Sequence, residues 1–446
     1  MQLDSSLFRS RTLMMASALT AIMSGSAQAQ SILDPSTWFA TGPEGDKQRQ
    51  QELKAGGGTR EYKPRQFGLW LVESSADLGA VYDSNLYSSR TNTKSATGVM
   101  LSPRVTGRYT DGGQNATFYL DGNARYFSSE NDISTFSGRI GLGNSLELNR
   151  GTVWKVLAQF GRSQDDSGAF NATGLGSGSS GVYVKPINSN SLFAATSILS
   201  RLDYAQFNGF VSGGLSANLA RFEDAELSDG SKVSQNARDT NSYTATGRVG
   251  WSFLPVAYAF VEPAAVWQQV PNVTDGDTTT YRVTAGIGTD RINLMKGEIF
   301  AGYARQSFND LTDQARDGAV YGMRLSWFPT RDLTLNLSAD DTLGVTAANV
   351  SGATQVYTSR TKSISGDLNY SVDRRVSVAI RSTFSNVEYT DTGRKDDIFR
   401  LGADLTYMVT GNMGLRAGYT NVNVNSTSDL NNISRDVYSI GLNARF

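Results

Sequence analysis

The stretch DVYSIGLNARF, Asp436–Phe446, alternates strictly from Tyr438 to its last residue. Tyr438, Ile440, Leu442, Ala444 and Phe446 are apolar or aromatic, while Ser439, Gly441, Asn443 and Arg445 between them are polar or small. Successive side chains of a strand point to opposite faces, so this segment has one apolar face and one wet face. Any half-buried sheet edge shows the same, and the rest of the chain must decide which sheet it belongs to.

The other segments repeat the pattern. In Leu333–Asp340 the residues Leu333, Leu335, Leu337 and Ala339 stand against Thr334, Asn336, Ser338 and Asp340. In Met413–Thr420, Met413, Leu415, Ala417 and Tyr419 oppose Gly414, Arg416, Gly418 and Thr420. Between about Ala76 and Phe446 eighteen such segments can be read, the first near 74–83, the thirteenth and fourteenth near 331–345 and 355–371, and the last near 433–446. Connections after even-numbered segments are short (NRG, FNG, LPV, PTR, DRR, VTG), whereas those after odd-numbered segments are mostly longer. Short turns at one end and long loops at the other are the mark of a transmembrane β-barrel, and a soluble sandwich has no reason to sort its loops so.

The expectation is therefore an all-β, antiparallel, up-and-down transmembrane barrel of about 18 strands spanning residues 67–446. A barrel of that circumference cannot fill its interior with side chains, so the apolar face should point out to lipid and the polar face in to water. Tyr109, Tyr126, Trp154, Tyr204, Trp251, Trp267, Trp327, Tyr370, Tyr407 and Tyr438 sit near segment ends on the apolar face, where interfacial girdles are expected. Tyr438 and the terminal Phe446 together resemble the signal that delivers such chains for insertion. That implies the barrel-assembly machinery as a partner, with membrane lipid and lipopolysaccharide around the wall.

Arg9 and Arg11 precede the apolar run Leu13–Met23, and Ala27-Gln28-Ala29 offers a cleavage site, so residues 1–29 read as a secretory signal peptide. Residues 30–66 are polar and Gly-rich and read as a disordered segment. An even strand count puts both mature termini on the short-turn side, the periplasmic side of an outer-membrane protein. The chain has 45 Gly, 9 Pro, no Cys and no His, with a formal net charge of −1. Without histidine or cysteine the usual zinc sites and Ser-His or Cys-His catalysis have no residues to use, and no metal or other cofactor is expected. A near-zero charge gives no nucleic-acid footprint. The adjacent acids Asp165-Asp166, Asp340-Asp341 and Asp396-Asp397 would face opposite ways on a strand, so no carboxylate pair for catalysis is read from them and the chain is not expected to be an enzyme.

On the inward parity arginines outnumber acids. Arg324, Arg381, Arg400 and Arg416, from strands close in sequence, are the candidates for a basic ladder, with Asp340, Asp367 and Asp404 among the acids of the same inward face. A charge on the lipid face would cost roughly 2–4 kcal/mol at the membrane midplane, which drives these groups inward. They act either as a constriction that sorts solutes or as cross-strand ion pairs that stiffen the wall. The connection after the fifth segment is long and rich in Gly and Ser; it either stays at the surface or folds inward, placing Phe170, Tyr183 and Lys185 at a constriction.

The run from Thr59 to Tyr87 resembles the approach to the first strand in the putative β-barrel porin 2 family, matching at Tyr62 and Pro64 and then at Tyr82, Asp83, Ser84 and Asn85. It departs where Thr59 and Arg60 replace an Arg-Pro pair and where Gly68 falls two residues late. The resemblance implies an outer-membrane barrel often associated with exopolysaccharide export, and hence periplasmic export components as partners. The functional expectation is a passive channel for an exported exopolysaccharide, the alternative being a general or nutrient-uptake porin for small hydrophilic solutes.

Overall fold

The computed structural model describes residues 64–446 except 87–89, 91–92, 128–134, 165–191, 227–231, 235, 237–238, 274–275, 293, 309–314, 351–352, 390–392 and 428–431. Eighteen strands form one closed ring. The first nine are β1 (Trp70–Asp83), β2 (Ala96–Asp111), β3 (Gln114–Phe127), β4 (Thr135–Asn149), β5 (Thr152–Gln164), β6 (Leu192–Gln206), β7 (Gly209–Phe222), β8 (Thr240–Leu254) and β9 (Ala257–Gln269). The second nine are β10 (Thr278–Ile292), β11 (Met295–Phe308), β12 (Arg316–Trp327), β13 (Leu333–Val350), β14 (Ala353–Ser371), β15 (Val376–Tyr389), β16 (Lys395–Met408), β17 (Met413–Ser426) and β18 (Ile433–Arg445). Each strand pairs antiparallel with its neighbours in sequence, and β1 pairs with β18 from Ser75↔Arg445 to Asp83↔Val437. A three-residue strand, Arg65–Phe67, folds back on the start of β1, and a small hairpin of Ala225–Glu226 with Lys232–Val233 lies between β7 and β8.

The loop asymmetry follows from turn chemistry. At one rim the connections are two to five residues long, such as 112–113, 150–151, 207–208 and 409–412. Gly112 and Gly113 both have positive φ, at 56° and 143°, a conformation open to glycine at little steric cost and needed to reverse the chain in two residues. At the other rim most connections are longer. Between β13 and β14 only residues 351–352 intervene, because these strands run to 18 and 19 residues and stay paired as far as Val350↔Ala353. Here the structure differs from the sequence reading, which ends the first of these strands at 345, five residues early, and starts the second at 355, two residues late. Continuous cross-strand pairing overrides that weak local signal.

The apolar parity faces outward on every strand, as Leu215 (66% exposed) and Ile440 (65%) illustrate. Trp154, Trp251, Trp267, Trp327 and Tyr407 stand exposed on this outer face near strand ends, whereas the equally exposed Tyr438 lies near the middle of β18. The inner face is less uniform than a simple wet lumen. Val81, Leu86, Ala96 and Phe127 form one small buried cluster towards the long-loop rim, and Val422, Val424 and Ile433 form another. Much of the charge on β5–β13 is also buried. Long side chains on strands about 4.8 Å apart reach their neighbours and pack on one another along the wall.

Candidate channel lining

One inward charge from each strand between β8 and β13 joins a network of alternating sign: Arg248, Glu262, Arg282, Glu298, Arg324 and Asp340. Arg248 Nε lies 3.1 Å from Glu262 Oε2, and its Nη2 lies 2.8 Å from Glu298 Oε2. Arg282 Nη2 is 3.3 Å from Glu262 Oε1, Arg324 Nη1 is 2.9 Å from Glu298 Oε1, and Arg324 Nη2 is 3.8 Å from Asp340 Oδ1. The Arg248 and Glu298 side chains are only 4% and 5% exposed. Removing such charges from water is costly, and here the cost is offset because Glu262 and Glu298 each sit between two guanidinium groups.

Inward rings form a layer beside this network. Phe210 lies opposite Gly250, Phe260 opposite Gly286, and Phe300 opposite Gly322. A Cβ at Gly250 or Gly286 would overlap the facing ring, so the glycines let the rings lie against the wall. Arg248 caps Phe260 with its Cζ 3.6 Å from the ring centroid, and Arg324 stands 5.3 Å from that of Phe300. The Tyr258 hydroxyl donates to Glu298 Oε2 at 3.4 Å, and its ring meets Phe210 edge-on at 5.6 Å. Glycine floor, ring, guanidinium and carboxylate together make an internal buttress. Its Phe rings are buried, so they offer no open track for a sugar to stack on. A second buried knot joins Lys155 Nζ to Asp203 Oδ2 (2.8 Å) and Arg201 Nε to Asp203 Oδ1 (2.6 Å), with Arg201 Nη2 donating to Ser212 Oγ.

The wet part of the wall lies elsewhere on the ring. Arg381 is 60% exposed, with Nη1 3.1 Å from Asp404 Oδ2. Arg416, 37% exposed, bridges Asp404 Oδ1 at 2.9 Å and Asp77 Oδ2 at 3.1 Å. Asp77 also accepts from Asn443 Nδ2 at 2.7 Å, and further round Arg139 Nε pairs with Asp121 at 3.0 Å. Asp367 sits directly opposite Arg381 across β14 and β15. The chain thus runs Asp367, Arg381, Asp404, Arg416, Asp77, again with alternating sign.

The structure groups the sequence candidates in its own way. It brings Arg381 and Arg416 together around Asp404 with Asp367 adjacent, and places Arg324 and Asp340 in the buttress. Arg400, opposite Thr383 and Val422, stands nearer the long-loop rim than Asp404. Asp340 faces in while its neighbour Asp341 faces out and pairs with Arg360. Phe170, Tyr183 and Lys185 lie outside the described residues. Tyr438 sits between Tyr82 and Tyr419 on the outer face, with centroids 6.2 and 5.0 Å away. Phe446 pins the short-turn rim, its N–H donating to Ser74 O at 2.9 Å. Glu298, the hub of the buttress, was not singled out from sequence, although the alternation in Met295–Tyr303 gives its inward parity.

A closed antiparallel ring with an apolar exterior and a charged inner face defines an outer-membrane β-barrel of the porin type. The chain belongs to the family described as Putative beta-barrel porin 2, whose model matches residues 64–446. No curated protein matches the chain. Among solved structures it is similar to the outer membrane protein OpdK from Pseudomonas aeruginosa, at 10% identity and a TM-score of 0.38, covering 84% of this chain and 98% of that one. It is also similar to OccAB3 of Acinetobacter baumannii, at 12% identity and a TM-score of 0.39, covering 84% and 99%. A mutant of the ferric enterobactin receptor PfeA from Pseudomonas aeruginosa shares 9% identity with a TM-score of 0.40, covering 84% and 80%.

Proposed function

We propose that the protein is a passive outer-membrane channel through which an exopolysaccharide leaves the cell, with both termini on the periplasmic side and no catalysis along the way. The observation that carries this reading is the alternating sign of the wet arc from Asp367 to Asp77. A ring of like charges would select ions by sign. Acids and guanidinium groups that neutralise one another leave little net field, and such a wall sorts solutes by size and hydrogen bonding. A polyhydroxylated chain suits it, since each hydroxyl both donates and accepts. The export role rests on the family resemblance, and periplasmic export components would hand the polymer to the short-turn rim. Lipopolysaccharide would contact the outer face, and the barrel-assembly machinery would insert the chain.

The test is an in-frame deletion, with secreted and periplasmic polysaccharide assayed separately. Loss from the medium with accumulation in the periplasm is expected. Unchanged secretion would overturn the export role and leave the uptake of small hydrophilic solutes, to be identified by conductance and transport assays.

A further inference from the structure

The stretch Tyr82–Asn85 takes no part in the lumen arc. All four residues instead reach across, or brace, the seam between β1 and β18. On the outer face Tyr82 packs against Tyr438. On the inner face Asp83 receives Arg435 in a forked pair, Nε at 3.1 and 3.0 Å and Nη2 at 2.6 Å, with both side chains buried. Ser84 N–H donates to Asp436 O at 2.9 Å, and Ser84 Oγ accepts from Asp436 N–H at 2.8 Å. Asn85 Nδ2 donates to Ser434 O at 3.0 Å, while its own N–H donates to Asp83 Oδ1 at 3.1 Å and holds the carboxylate in place.

We infer that this stretch, with Arg435, fixes the register in which the barrel closes, and through it the cross-section of the lumen. Every other strand pair is joined by a connection, eight of them by short turns that set the register. The β1–β18 pair has none. Its stagger contributes to the shear of the closed sheet, and shear together with strand number sets barrel diameter. A slide of one residue would turn every side chain to the wrong face, so the apolar pattern forbids it. A slide of two keeps the faces correct, and the small residues Gly79, Ala80, Gly441 and Ala444 along this seam do little to oppose it. The Asn443–Asp77 and Phe446–Ser74 bonds near the short-turn rim are open enough to exchange with water, whereas the buried pair is not: sliding would leave Asp83 and Arg435 out of water without each other. Fixing register is the best-attested use of buried polar groups, and a buried ion pair can serve the same end. The inference holds whichever solute passes.

The chain has no cysteine, so introduced pairs report cleanly. Val81 and Ser439 face one another across the seam, whereas Val437 lies opposite Asp83 and would reach Val81 only after a two-residue slide. In the otherwise native barrel, oxidation should cross-link Val81→Cys with Ser439→Cys but not Val81→Cys with Val437→Cys, since diagonal neighbours sit too far apart for a disulfide. Adding Asp83→Ala should let the second pair cross-link as well and should split the single-channel conductance into several levels. The exchange Asp83→Arg with Arg435→Asp should restore one cross-linked pair and one level. If Asp83→Ala cross-links only the first pair at an unchanged conductance, the inference is overturned. If Asp83→Ala fails to insert, the exchange variant decides: insertion with a single level upholds the register role, and failure of the exchange overturns it.

Discussion

The guanidinium of Arg248 lies over the Phe260 ring, 3.6 Å from its centroid, and the same guanidinium touches two buried glutamates. One side chain therefore ties the ring layer to the charge network. Arg248→Ala should leave Glu262 and Glu298 each with one partner fewer in a place water does not reach. Breaking a buried pair in this way costs about 3–5 kcal/mol. Denaturant unfolding in detergent micelles, followed by the shift of the folded band on unheated gels, should show that loss. Glu298→Gln should behave similarly, because it strips charge from the partner of both Arg248 and Arg324.

The glycines under the rings give a second expectation. In Gly250→Ala the new methyl occupies space now filled by Phe210, so the ring must swing into the lumen. Overpacking of this kind costs about 1–3 kcal/mol. Single-channel conductance should fall, and Gly250→Ala combined with Phe210→Ala should recover it.

Arg381 should behave in the opposite way. At 60% exposed it holds Asp404 in water, where an ion pair contributes about 0–1 kcal/mol, so Arg381→Ala should unfold almost as the native barrel does. Arg381→Glu should nevertheless move the reversal potential in a salt gradient towards cations, since it leaves Asp367 and Asp404 beside a third acid. An unchanged reversal potential would remove this arc from the path of the solute.

The turn between β14 and β15 supplies a pH test. Asp373 Oδ1 accepts from the N–H groups of Arg375 and Val376, both at 2.7 Å, and these bonds hold its pKa below the ordinary 3.8. A depressed folded-state pKa means that the stabilisation is full above about pH 4 and is lost as pH falls below that. The difference in thermal stability between the native protein and Asp373→Ala should therefore be constant from pH 5 upward and shrink on acidification below 4.

Strand number, face parity and loop asymmetry were legible because each rests on local alternation and turn residues. Eighteen segments read from sequence correspond to eighteen strands, although β1 starts at Trp70, several residues before the expected 74, and β13 and β14 run longer than read. The site was less legible. Parity shows that Arg324, Arg381, Arg400 and Arg416 face inward, but which groups meet depends on the stagger between strands. That stagger puts Glu298 opposite Arg324 and Asp367 opposite Arg381. The same limit hid the pairing of Phe260 with Gly286, residues of unremarkable composition until the register aligns them.

Asp83 and Arg435 stand 352 residues apart along the chain, yet they meet at the seam. Contacts so distant in sequence carry a large entropic delay and are expected to form late. Before they form, the growing sheet has two unsatisfied edges, each able to pair with another chain. The hazard in this protein's life is therefore a matter of timing, concentrated in the interval before the ring shuts, and any substitution that slows closure should appear first as aggregation during biogenesis rather than as weakness of the finished wall.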